Sequence, residues 1–151
     1  MRIMAIDYGD AHTGIAISDP TGLLAGFTTV INSRRQEVVV EQVTLLAKEH
    51  GAEELVLGHP VNMDGTLGPR SEKAKAMKAL LEEATALPVV LWDERRTTVS
   101  AAAILADNDT FGAKRKERLD SVSAAVILES FLNWRAHHPG EEPPELVRPE
   151  Q

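Results

Sequence analysis

The chain contains no cysteine. That excludes disulfides, zinc–thiolate centres and iron–sulfur clusters, and leaves carboxylates and five histidines as the strong metal ligands. Long apolar runs are missing as well, none approaching the roughly 18 residues that a membrane helix needs. Met1–Asp10 holds one basic residue and a short apolar run with no small-residue cleavage site, so no secretory leader is expected. The expectation is a soluble cytoplasmic protein with no membrane partner. Positive charge is not in excess either: the formal net charge of −7 argues against a surface coated for indiscriminate nucleic-acid binding. The histidines lack His-x-x-x-His spacing, no Walker-type or Rossmann glycine pattern occurs, and there is no internal repeat.

What is present is unevenly distributed. The segment Gly140–Gln151 sets four glutamates against one arginine, a local −3. Conversely Lys114, Arg115, Lys116 and Arg118, against Glu117, make a local +3 within five residues. A length of 151 residues suits one domain that buries about two-thirds of its unfolded surface. Residues 1–138 are expected to form it. Pro139–Gln151, with three more prolines and its glutamates, has too little apolar surface to offset chain entropy and is expected to be a disordered tail.

The first third reads as strands over Arg2–Asp7, Gly14–Ser18 and Gly26–Ile31, joined by short turns in an antiparallel meander. Val39, Val43 and Leu46 predict a helix over Arg35–His50 that stops at Gly51. A strand over Glu54–Leu57 and a helix opening at Pro69 and carrying Ala74, Met77 and Leu81 follow, then a strand over Pro88–Trp92. An Ala-rich helix over Thr98–Ala106, a loop through Asn108 and Gly112, and a long helix over Arg118–His137 complete the order. Strands alternating with helices in the second half predict parallel pairing, so the class is α/β with a mixed five-stranded sheet flanked by helices.

Three carboxylates occupy positions that call for explanation. Asp7 ends an otherwise apolar strand before Tyr8-Gly9, where a buried carboxylate is costly unless paired, hydrogen-bonded or metal-bound; the bland reading is a turn residue. Asp93 and Glu94 follow a buried-type strand, and alternation sends them to opposite faces without saying which faces a site. Arg95 and Arg96 beside them are either ion-pair partners or nucleic-acid contacts. Asp120 stands in line with Ala124, Ile127, Phe131 and Trp134, which makes it a helix cap or a residue aimed into the sheet. The basic run Lys114–Arg118 precedes it, read as a solvated loop or as positive charge on the rim of a carboxylate site. Should the three acids converge, two carboxylates about 5 Å apart repel by roughly 3 kcal/mol at an effective dielectric near 20, which a divalent ion removes. Such an ion suits phosphodiester hydrolysis.

The runs Asp7-Tyr8-Gly9 with Gly14–Asp19, Gly58-His59-Pro60 through Asn62, Asp64, Gly65 and Thr66, Asp93–Thr98, and Asp120–Leu128 together resemble the YqgF family, also called RuvX. The likeness spans about residues 2–134. It implies a ribonuclease H-like fold related to Holliday-junction resolvases, and a nuclease role in maturing the 5′ end of the small-subunit ribosomal RNA precursor. It further implies magnesium or manganese held by Asp7, Glu94 and Asp120, with Gly9, Asn62, Asp64 and Gly65 in loops near the site. Structured RNA or a DNA junction would be the partner, bound by a monomer or a homodimer, with Lys114, Arg115, Lys116, Arg118, Arg95 and Arg96 as candidate contacts. The chain departs from the family where Ala11 and His12 replace the usual basic residues after Asp7-Tyr8-Gly9. His59 replaces a leucine and Arg96 an apolar residue; His59 reads equally as a supporting group of the site or a surface histidine.

Two other classes remain. An actin- or sugar-kinase-like ATPase half would share Asp7-Tyr8-Gly9 with Thr13-Gly14, but 151 residues leave no room for the second domain that closes over the nucleotide. A non-catalytic nucleic-acid or ribosome-associated module would keep the fold, and the presence of all three acids argues against it.

Overall fold

The computed structural model describes residues 1–22, 24–60, 66–94 and 112–143, and for residues 112–121 the helical backbone alone. The expected helix over Thr98–Ala106, Arg95, Arg96, Asn62, Asp64, Gly65 and the last eight residues lie outside the described ones.

Three strands come first: β1 (Ile3–Asp7), β2 (His12–Ser18) and β3 (Ala25–Asn32). Then follow α1 (Gln36–His50), β4 (Glu54–His59), α2 (Pro69–Thr85), β5 (Val89–Asp93) and α3 (Gly112–His137). The strands form one sheet in the order β3-β2-β1-β4-β5. β2 is antiparallel to β1 and β3, whereas β4 is parallel to both β1 and β5. The predicted mixed sheet is therefore present, and its parallel half brings the carboxyl ends of β1, β4 and β5 to one edge. α1 ends where Gly51 adopts a left-handed φ of 66° and its N–H caps the last turn.

Strand alternation divides the core between two faces. Met4, Ile6, Leu55, Leu57, Val89 and Leu91 pack with Val39 and Val43 of α1 and Met77 and Leu81 of α2. Ile3, Ala5, Val56, Val90 and Trp92 pack with Ala124, Ile127, Leu128 and Phe131 of α3. Trp92 anchors the second layer: it meets the Phe131 ring edge-on at 5.2 Å, and its indole N–H donates to Ser130 Oγ at 3.1 Å. At the opposite end Arg135 of α3 reaches Glu54 at the start of β4, 3.0 Å away. α3 is thereby held along the sheet from β5 to the amino end of β4.

One expectation needs correction. The last helix starts at Gly112, not near Arg118, so Lys114, Arg115, Lys116 and Arg118 lie on its first turns and not in a loop. Asp120 consequently stands two turns inside the helix. A residue there cannot be its N-cap, because a cap flanks the first turn.

Candidate active site

The odd-numbered residues of β1 and the even-numbered residues of β4 and β5 face α3, as the core partition shows. Continuing those periods puts Asp7, Gly58 and Glu94 on the α3 side at the common carboxyl edge of the three parallel strands. Asp7 still belongs to β1, paired with Gly14, so it is a strand residue and not merely part of a turn. Gly58 lies in the middle strand between them. A Cβ there would stand 3.4 Å from Glu94 Cγ and Cδ and 2.8 Å from Ile127 Cδ1. Glu94 therefore lies beside Gly58 on the middle strand, where a methyl would touch it, while the space of that methyl is taken by Ile127.

The electrostatics report the approach of Glu94 to Asp7. The Glu94 carboxyl is pushed up to about 7, first by burial, then by the negative charge of Asp7, with Arg70 opposing and Asp93 adding a little. A carboxylate so raised sits among perturbed groups of the kind that functional sites collect. Asp93, the alternative acid, pairs in register with His59 and falls by alternation on the α1–α2 side. His59 itself is buried at 1% exposure, and its Nε2 shares a 2.6 Å hydrogen bond with Ser71 Oγ of α2, so it is not a surface histidine.

Asp120 stands one helical turn before Ala124, which packs on the face that carries Asp7 and Glu94. Its side chain, like those of the Lys114–Arg118 run, is outside the described ones. Among the described residues, accordingly, no group of three acids or histidines is spaced to hold a metal. Two of the three candidate acids are brought together, and the third is on the helix that covers them.

Gly9 marks the rim. A Cβ on it would come within 2.4 Å of the His12 carbonyl oxygen, so the β1–β2 turn closes this tightly only with glycine. Beside the turn a cleft of about 110 Å³ is lined by Gly9, Asp10, Gly58, Pro60, Arg70 and Lys73 among others. Its two cations escaped sequence reading. Arg70 and Lys73 sit at i, i+3 on the first turn of α2, a spacing visible in the sequence, but only the tertiary fold turns that side towards β1.

A protein-family model described as "RuvX: Holliday junction resolvase" matches residues 1–134. The chain belongs to the RuvX family. A relative from Halothermothrix orenii, named "Putative pre-16S rRNA nuclease", is 42% identical over 89% of this chain and 96% of its own length. Another of that name, from Listeria monocytogenes serotype 4b, is 44% identical over 88% of this chain and 98% of its own. RuvX membership makes the chain a phosphodiester hydrolase by family. Among solved structures, RuvC of T. thermophilus in complex with a Holliday junction substrate superposes with a TM-score of 0.60 at 11% identity, covering 89% of this chain and 96% of that one. At that identity the likeness concerns the fold, and it is ribonuclease H-like, as the RuvX motifs imply. Among the described residues no helix is long and apolar enough to cross a membrane.

Proposed function

We propose that the chain is a metal-dependent nuclease acting on structured nucleic acid, with 5′-end maturation of the small-subunit ribosomal RNA precursor as its task. The observation that carries this reading is the approach of Glu94 to Asp7 at the carboxyl edge of the sheet, where burial and repulsion push Glu94 up to about 7. RNA is preferred over a DNA junction because the relatives at 42% and 44% identity are named for ribosomal RNA, whereas the likeness to RuvC is one of fold.

The donor chemistry fits a hard divalent cation. Asp7 and Glu94 offer oxygen ligands, there is no thiolate, and the cost of their mutual repulsion disappears when a cation joins them. Asp7, Glu94 and Asp120 would hold magnesium or manganese, Asp120 from α3 across the face that Ile127 and Phe131 secure. Bound there, the ion would supply Lewis acidity that activates water and stabilises the departing oxygen. The chain's own part is to fix the carboxylates. Asp7 ends β1 and Glu94 follows β5, while the missing side chain of Gly58 on β4 between them lets Ile127 of α3 pack close to the strand. Trp92, two residues before Glu94, ties this edge to α3 and excludes water from beneath it.

The test is cleavage of a precursor RNA spanning the 5′ end of the small-subunit RNA, beside a four-way DNA junction, with magnesium, manganese or chelator. Chelator should stop cleavage. Asp7→Asn, Glu94→Gln and Asp120→Asn should each lower the rate by more than about 100-fold, the upper range for losing a mere supporting partner of a metal ligand. Variants that cut at the wild-type rate would remove these acids from the chemistry.

A further inference from the structure

The cations beside the candidate site form one group around a single exposed carboxylate. Asp10, in the β1–β2 turn, receives Lys73 Nζ at 2.9 Å, with Lys73 57% and Asp10 75% exposed. Arg70 stands one turn earlier on α2 and lines the same cleft. It forms no ion pair among the described residues, yet its charge is felt by both Asp10 and Glu94. Arg34 completes the group from the β3–α1 connection. Ser33 N–H donates to the Ala11 carbonyl at 3.0 Å, which ties that connection to the β1–β2 turn, and Arg34 adds to the field that holds the Asp10 carboxyl below its ordinary value. Three cations from two separate segments, α2 and the β3–α1 connection, thus converge on one acid at the mouth of the cleft, in a chain whose formal charge is −7.

An exposed ion pair of this kind contributes little to stability. Nor does the arrangement bury anything, since the acid and its principal partner are both mostly in solvent. A cluster of cations with one carboxylate among them is, however, a site for an anion in which a resident anion is already seated. Phosphodiester groups bind through such lysines and arginines, Arg through two parallel hydrogen bonds and Lys as a point charge.

We infer that Arg34, Arg70 and Lys73 grip the phosphodiester backbone of the substrate on the β1–β2 side of the cleft, and that Asp10 occupies this grip until the substrate's phosphate displaces it. The strand to be cut then runs from these cations, past Gly9 and Gly58, to Asp7 and Glu94. Asp10 acts as a built-in competitor: it holds Lys73 in place and lowers affinity for unspecific polyanions. The inference rests on the nuclease reading, because the cations matter as a grip only if the neighbouring acids act on the same backbone.

The experiment measures binding by fluorescence anisotropy in chelator, so that cleavage plays no part, across a salt series. A four-way DNA junction and an RNA duplex with a single-stranded overhang serve as labelled probes. Combined Arg34→Gln, Arg70→Gln and Lys73→Gln should reduce the steepness of log affinity against log salt on DNA by about 2 to 3 units, from roughly 0.9 per lost phosphate contact. Lys48→Gln, at the far end of α1, should leave it unchanged. Asp10→Asn should move the other way, binding several-fold tighter. A structural role for the Asp10–Lys73 pair would make Asp10→Asn and Lys73→Gln alike, so opposite signs separate the two. If the triple variant keeps the wild-type slope on both probes, the grip is overturned while the nuclease reading stands. If the wild type binds neither probe, both fall.

Discussion

The two faces of the sheet meet at the same carboxyl edge but end differently. On the α1–α2 face, β4 finishes with His59, which is buried and matched by Ser71 at 2.6 Å. On the α3 face the same edge ends in Asp7 and Glu94, where burial first and the neighbouring Asp7 charge second push Glu94 up to about 7, with Gly58 on the strand between them. The first ending is closed at the end of β4, where His59 has its partner within the protein. The second keeps a repulsion between Asp7 and Glu94 that a neutral residue at either position would have removed. At this edge one sheet and one alternation thus put a buried, hydrogen-bonded histidine on one face and the two neighbouring acids on the other.

The largest test of that contrast is the pH dependence of the metal-free protein. A carboxylate whose folded pKa is raised holds its proton more tightly when folded. Its contribution is therefore full below the unfolded value of 4.5 and is lost as pH rises through about 7. The loss should amount to about 2–3 kcal/mol, allowing for partial solvation of Glu94. Denaturant unfolding in chelator at pH 5 and pH 8 measures it. Glu94→Gln should abolish most of the decline and be the more stable protein at pH 8. Asp7→Asn should lessen the decline without removing it, because burial outweighs Asp7 among the causes. A wild type equally stable at both pH values would mean that the α3 face ends as quietly as the other.

Next in size is the closed face. Ser71→Ala leaves His59 Nε2 without its present partner in a buried place, which should cost about 1–2 kcal/mol. The cost should be the same with chelator, magnesium or manganese, and cleavage per folded molecule should not change. If Ser71→Ala instead weakened the stabilisation by metal, His59 would belong to the site and the division between the faces would fail.

How much of this contrast the sequence disclosed depends on the range of the interaction. The meander and the alternating second half were legible because period and turn chemistry are local, and Gly51 stopped α1 where its left-handed φ requires. Asp7 and Asp120 stood out as acids in apolar registers. The choice of Glu94 over Asp93 was not legible from alternation alone and came from family resemblance. Only the fold shows that the period of Val90 and Trp92 leads to Asp7's side. The start of α3 was misplaced because its first turns, Gly112 to Glu117, are basic and carry little apolar periodicity, so the pattern became readable only where the helix meets the core. His59 read equally as a supporting group of the site or a surface histidine; its partner Ser71 is twelve residues on, and no window of periodicity joins them. Gly58 read as one member of a Gly-His-Pro loop, although its missing side chain is what lets Ile127 of α3 come close to β4.

The smallest effect isolates that absence. Gly58→Ala puts a methyl 2.8 Å from Ile127 Cδ1 and 3.4 Å from Glu94 Cγ and Cδ. The Ile127 contact is with the end of a flexible side chain, so the strain should lie at the low end of overpacking, about 1 kcal/mol. Ile127→Val alone removes that terminal carbon from a residue buried at 2% exposure, and should cost about 0.5–1.5 kcal/mol. Together the two changes should cost clearly less than their sum, because each relieves the other: the new methyl takes the space that Cδ1 vacates. Denaturant unfolding of the four proteins in chelator closes the cycle, and a favourable coupling of about 1 kcal/mol is expected. The Glu94 contact then adds a second measurement. With the Ile127 clash relieved, a methyl at position 58 is only in ordinary contact with Glu94 Cγ and Cδ at 3.4 Å, so the double variant should fold well and cleave at close to the rate of Ile127→Val. Additive stabilities would show that Gly58 is not pressed against α3. A double variant much slower than Ile127→Val would show that Glu94 tolerates no side chain beside it at position 58.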